Sequence, residues 1–191
     1  MSPRLLVGAG VVRHALCVTT MHRAAPAAAE LLRHQRRVAA VLTGLPDERW
    51  AAGLGRAARR ALVRTGHFPE YSGELDWTPV EVAGHLRDSA RVFTDRLRRL
   101  VAGDPAPLAD FDPLEPARVA GYARLPRAVL LSGLHDAQLT LHATVAALSP
   151  PELRRSGRRD TGEPVTVAEL VTFLPEHQAD HAAQLETLAR G

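Results

Sequence analysis

An all-α fold, a bundle of four long helices, is what this sequence predicts, and three observations carry the prediction. Hydrophobic residues make up 46% of the chain but aromatics only 4%, so the core must be built from Ala, Leu and Val. Ala and Leu are strong helix formers, and small aliphatic side chains suit closely packed helices. Four segments place apolar residues at spacings of three and four, and no segment shows strand-like alternation of useful length. The 191 residues suffice for one domain with a sizeable core.

The first helix is expected over 27–45, with Leu31, Val38, Val41, Leu42 and Leu45 on one face. Pro26 suits its first turn, and Gly44 with Pro46 ends it. A long connection follows, holding Trp50, the run Arg56, Arg59, Arg60 and Arg64, and the segment Gly66-His67-Phe68-Pro69. Its length predicts a short helix over 55–64. The second long helix has the clearest start. In Thr78-Pro79-Val80-Glu81 a hydroxyl sits at the N-cap, proline at the first helical position, and a carboxylate where it reaches back to the cap. Trp77 is placed to staple onto Val82, and the helix runs through His85, Leu86, Ser89, Phe93, Leu97 and Leu100 to Gly103.

Residues 104–126 form a crossover with too many Pro and Asp residues for a long element. The third long helix is expected over 127–148, closed by Ser149-Pro150-Pro151. The last opens on a second capping box, Thr166-Val167-Ala168-Glu169, and carries Leu170, Phe173, Leu174, His177, His181, Leu185 and Leu188 on one stripe. Pro175 lies inside it and removes the bond to the carbonyl of Val171. That predicts either a kink just ahead of His177 or a fresh helix starting there.

Bulk properties exclude several classes. All 24 basic residues are Arg, which explains a pI near 9.9 beside a formal net charge of only +3. The Arg56–Arg64 run and Arg154, Arg155, Arg158 and Arg159 are small clusters, read as solvated faces and not as a nucleic-acid site. A single cysteine, Cys17, excludes an internal disulfide, and no acid or histidine beside it marks a nucleophile. The apolar run 6–12 is too short to span a membrane. Residues 1–22 are expected to be a loosely held extension and 23–191 the bundle domain of a cytoplasmic protein, with Met21 a conceivable alternative start.

Placement singles out three of the nine histidines. His177 and His181 project from one helix face a turn apart, near enough to share one ion, and His85 interrupts the apolar stripe of another helix. Three inward imidazoles could ligate a divalent metal and leave positions open for water or substrate. The ordinary alternative is a set of surface or hydrogen-bonded core histidines. Gln178 after His177 departs from the H-E-x-x-H pattern of zincin peptidases.

The segment Trp77-Thr78-Pro79-Val80-Glu81-Val82-Ala83-Gly84-His85-Leu86-Arg87-Asp88 resembles the second helix of the DinB/YfiT-like superfamily. His177-Gln178-Ala179-Asp180-His181-Ala182-Ala183-Gln184-Leu185 resembles that family's last helix, at a similar separation. The resemblance implies a four-helix bundle of up-down-down-up topology, often a homodimer, with one metal held by residues that map onto His85, His177 and His181. It implies a small-molecule substrate and either a metal-dependent hydrolase or a transferase or isomerase using a low-molecular-weight thiol such as bacillithiol or mycothiol. The metal expected is zinc, nickel or iron. A non-catalytic bundle with a structural or stress-response metal site is the alternative, and a nucleic-acid partner is the weakest reading.

Each further candidate has a plainer role beside the functional one. Asp88 is a candidate to hydrogen-bond a ligating imidazole, a candidate base, or a surface carboxylate; Glu81 is explained by its cap. Glu176 and Asp180 flank the histidine pair and are expected to face solvent, with orienting an imidazole the alternative, and Gln184 is expected to border the pocket. His135 and His142 share a face of the third helix and could line the interior. Arg124 and Arg127 could meet an anionic substrate, though the ordinary role for both is on a solvated surface. His14, His22 and His34 receive no role.

Overall fold

Four long helices bring their apolar stripes into a common interior in the computed structural model, which describes residues 24–64, 66 and 72–190: α1 (Ala24–Gly44), α3 (Pro79–Ala102), α5 (Arg127–Ala146) and α7 (Val167–Arg190). Between them lie short elements: α2 (Arg56–Arg64), α4 (Pro116–Tyr122), α6 (Pro150–Leu153), and 3-10 turns at Asp47–Arg49 and Ser72–Asp76. The expected 1–22 extension, with His14, Cys17 and His22, lies outside the described residues, as do His67, Phe68 and Pro69.

The termini of the long helices follow from local chemistry. At Thr78 the backbone N–H and the hydroxyl both donate to Glu81 Oε2 at 2.7 Å, the capping box the sequence spells out. Gly103 ends α3 at φ 74°, left-handed backbone that glycine adopts without a Cβ penalty. Thr166 and Glu169 form the same reciprocal pair at the start of α7. Ser149 does more than close α5: with Glu152 it makes a third capping box, which starts α6.

The direction of each helix follows from two apolar clusters. One joins Ala28 and Leu31 near the start of α1 to Phe93 and Leu97 late in α3, Leu141 and Val145 late in α5, and Leu170 and Leu174 early in α7. The other joins Val38 and Leu42 to Val82 and Leu86, Leu130 and Leu134, and Leu185 and Leu188. The four long helices therefore run up, down, down, up. A fully buried Leu or Val in such a cluster contributes about 1.5–3 kcal/mol relative to its exposed state. Between the clusters lies a polar layer of buried Gln35, Ser89, Gln138 and Gln178, in which Gln35 Nε2 donates to the Gln138 carbonyl at 3.1 Å.

A hairpin and a short helix were not expected, and one of the two alternatives at Pro175 is removed. The sequence shows no strand, yet β1 (Ser156–Arg158) and β2 (Pro164–Thr166) pair antiparallel. Strands of three residues are too short to alternate legibly, and only Val165 among them is buried. The crossover also contains α4, started by Glu115, whose carboxylate accepts from the backbone N–H groups of Ala117 and Arg118. Pro175 neither ends α7 nor divides it, since the helix is continuous from Val167 to Arg190. Its flanking stripe, Val171, Leu174 and His177, is buried against the other helices, so packing offsets the lost backbone bond.

Tyr122 pins α4 to α3. Its ring, 2% exposed, lies so close to Gly84 that a Cβ there would stand 2.2 Å from the ring. Gly84→Ala must therefore displace the ring, and the expected loss is about 1–3 kcal/mol of stability in urea denaturation. Unchanged stability would show that α4 is not seated on α3 in this way.

Candidate metal centre

Four side chains from three elements converge in the interior beside the polar layer. Helix α3 supplies His85, α7 supplies His177 and His181, and the 3-10 turn Ser72–Asp76 supplies Glu74. All four are buried, and one ligand atom from each lies within 4.8 Å of the others. His85 Nε2 stands 3.0 Å from His177 Nε2, and His181 Nε2 stands 3.2 Å from Glu74 Oε2. Ligands at about 2.0–2.1 Å from one tetrahedral ion are spaced about 3.3 Å apart, so both separations suit donors gathered around a cation.

Hydrogen bonding fixes which nitrogen of His181 faces the centre. The Glu74 backbone carbonyl can only accept, so the Gln184 amide nitrogen turns to it, donating at 2.7 Å. Gln184 Oε1 then faces His181 Nδ1 at 3.0 Å and can only accept. Nδ1 therefore carries a proton, and Nε2 is the nitrogen turned to the Glu74 carboxylate. A buried carboxylate oxygen 3.2 Å from that nitrogen accommodates a cation between or beside them, a proton or a metal ion. The donor set therefore fits a divalent ion.

Burial is the first cause that holds the His85 imidazole well below its usual range, and the charges that His181, His177 and Arg118 would carry add to it. His177 is lowered in the same way, by burial and then by His181. Both stay neutral near pH 7 and keep lone pairs available. The walls are aromatic: Trp77 lies 4.7 Å from the His85 ring and Phe173 5.2 Å from the His177 ring, centroid to centroid. Phe111, from the crossover, stacks 6.3 Å from His85.

Over residues 30–185 the sequence matches the DinB superfamily. The chain belongs to that superfamily. Two solved structures are similar to this one. YfiT from Bacillus subtilis, described as a probable metal-dependent hydrolase with an unusual four-helix bundle topology, superposes with a TM-score of 0.60 at 15% identity, covering 100% of this chain and 92% of its own. The mycothiol-dependent maleylpyruvate isomerase superposes with a TM-score of 0.64 at 12% identity, covering 85% of this chain; this chain spans 60% of the isomerase. At such identities the likeness concerns the fold. No curated protein matches the sequence significantly.

Within this DinB bundle the three histidines singled out by the sequence are brought together, and Gln184 is buried beside them. Other candidates are corrected. Asp88 is held by Arg87 at 2.8 Å and Arg91 at 3.9 Å, so its carboxylate is engaged away from the imidazoles. His135 is exposed and His142 half-buried on α5, outside the cluster, because the inward face of that helix passes through Leu134, Gln138 and Leu141. Glu176 and Arg124 are exposed, as a solvent role requires, whereas Asp180, expected to face solvent, is half-buried. Arg127 is structural: it donates to the carbonyls of Leu42 and Leu45 at 2.7 Å, pairs with Asp47 and lies over Trp50. His34, given no role, is buried on α1 between Arg33 and Arg37. Glu74 was missed, and so were Trp77 and Phe111 as walls; a lone Glu in a segment without periodicity carries no signal of its own.

The lowered imidazoles give a pH dependence with a definite sign. His34, His85 and His177 all fall below the ordinary value of 6.5 in the folded chain. Below about pH 6.5 the unfolded chain binds protons that the folded chain refuses, so stability falls as pH falls. Metal-free protein should lose stability steadily from pH 7 toward pH 5 in urea titrations. A flat profile over that window would contradict the buried neutral imidazoles.

Proposed function

We propose that this chain is a metal-dependent enzyme of the DinB type in which His85, His177 and His181 hold one divalent ion and Glu74 is a further donor. When bound, the ion supplies Lewis acidity, lowering the pKa of a water or small thiol that then attacks an electrophilic small molecule. The carrying observation is the buried convergence of three imidazoles and one carboxylate. Imidazole donors suit zinc, nickel and iron alike. Gln184 holds the His181 ring in the tautomer that presents Nε2. Trp77, Phe111 and Phe173 line the imidazoles and limit the water reaching them. Descriptions of the two similar structures, one a hydrolase and the other thiol-dependent, support keeping both water and a thiol as the activated group.

A structural site is the second reading, favoured by Glu74, because four protein donors are the hallmark of closed structural sites. Cobalt(II)-loaded protein separates them. If the site is catalytic and uses a thiol, adding cysteamine produces a sulfur-to-cobalt charge-transfer band. If it activates water, no such band forms, but the visible spectrum changes with pH as the water ionises. A closed structural site gives neither response, while chelation lowers the melting temperature sharply.

A further inference from the structure

We propose that Arg118 and Phe111 form an anion-recognition strip at the edge of the metal centre, so that the substrate or cosubstrate is a small molecule carrying a carboxylate or similar anionic group. This inference rests on the metal reading above. Helix α4 is fixed against α3 by Tyr122 in the space left by Gly84, the residue next to His85. Arg118 lies one turn before Tyr122, on the same face of α4. Its guanidinium sits 4.6 Å above the centre of the Phe111 ring, and that ring in turn stacks 6.3 Å from His85. A cation, an aromatic face and an imidazole of the centre thus form one continuous strip.

Arg118 is half-buried, and among the described residues no carboxylate comes within 4.0 Å of its guanidinium. The neighbouring acids are committed elsewhere. Glu115 caps the N-terminus of α4, and Asp88 pairs with Arg87 and Arg91. Arg118 gives one hydrogen bond to the carbonyl of Asp112, which orients the side chain and leaves further N–H groups of the fork available. Several other arginines are used up in the frame: Arg37 with Glu186, Arg59 with Asp76, Arg99 with Asp104 and Arg127 with Asp47. A guanidinium stacked on an aromatic ring is more weakly hydrated and pre-organised, and it matches a carboxylate with two parallel hydrogen bonds. A ligand a few atoms long would place its anion on Arg118 and its reactive atom at the centre, with Phe111 along its side.

The test uses cobalt(II)-loaded protein titrated with thioglycolate and with its uncharged amide, reading the sulfur-to-cobalt band for both. The wild type should bind thioglycolate at least about ten-fold more tightly than the amide, the scale of one charge-assisted hydrogen bond. Arg118→Met should bring that ratio close to one, and Arg118→Lys should keep part of it, since a point charge lacks the fork. A merely structural Arg118 would weaken both thiols together and leave the ratio intact. The inference is overturned if the wild type shows no preference or if Arg118→Met retains it. If no cobalt spectrum develops at all, the metal reading fails and this inference falls with it; a cobalt spectrum without discrimination removes this inference alone.

Discussion

His181→Ala lowers divalent-metal affinity by more than about a hundred-fold, because loss of even an orienting partner around a bound metal costs about 10–100-fold and this change removes a donor. His181 is the most constrained of the four groups. It is 0% exposed, Gln184 fixes its tautomer, and its Nε2 stands 3.2 Å from Glu74 Oε2. Its removal also strips Gln184 Oε1 of its donor and leaves a cavity in the interior, so part of the expected loss is stability. His85→Ala, on another helix and without the Gln184 link, provides the control. Competition with a chromophoric chelator at one fixed pH measures both. Near wild-type affinity in both folded variants would remove these residues from the ligand set.

Gln184→Leu is the second large effect, although Gln184 is not a ligand. Its amide bridges two parts of the chain that are 110 residues apart, donating to the Glu74 carbonyl and accepting from His181 Nδ1. Leucine fills much of the same volume but satisfies neither group. The unpaired carbonyl alone costs about 1–3 kcal/mol. With the tautomer of His181 no longer imposed, metal affinity should also fall by about 10–100-fold. Gln184→Glu separates the causes. A carboxylate still accepts from His181 Nδ1 but has no proton for the Glu74 carbonyl, so it should preserve affinity better than stability. Equal affinity in the wild type and Gln184→Leu would show that the bond to His181 does not prepare the site.

The three histidines and the bundle were legible because both rest on helical periodicity. His85, His177 and His181 interrupt apolar stripes whose other members, such as Leu86, Leu174 and Leu185, mark the inward face. The caps at Thr78 and Thr166 were legible because a capping box is a local four-residue pattern. Glu74 was not, because it sits in a 3-10 turn with no period, and its place beside His181 depends on packing between distant segments. The structural role of Arg127 was not legible for the same reason. Arg127 precedes the third helix in sequence, but in space it caps the carbonyls at the end of α1, and Arg118 lies on a short helix hidden among prolines and aspartates. Pro175 left a kink or a fresh helix open, because a local rule weighs the lost backbone bond and cannot weigh the buried stripe on either side.

Elemental analysis of purified, untagged protein tests the central claim most directly. After incubation with zinc, nickel, iron or manganese and removal of the excess, the account predicts close to one ion per chain, reduced in His85→Ala, His177→Ala and His181→Ala. Protein that remains metal-free after all four incubations would contradict it.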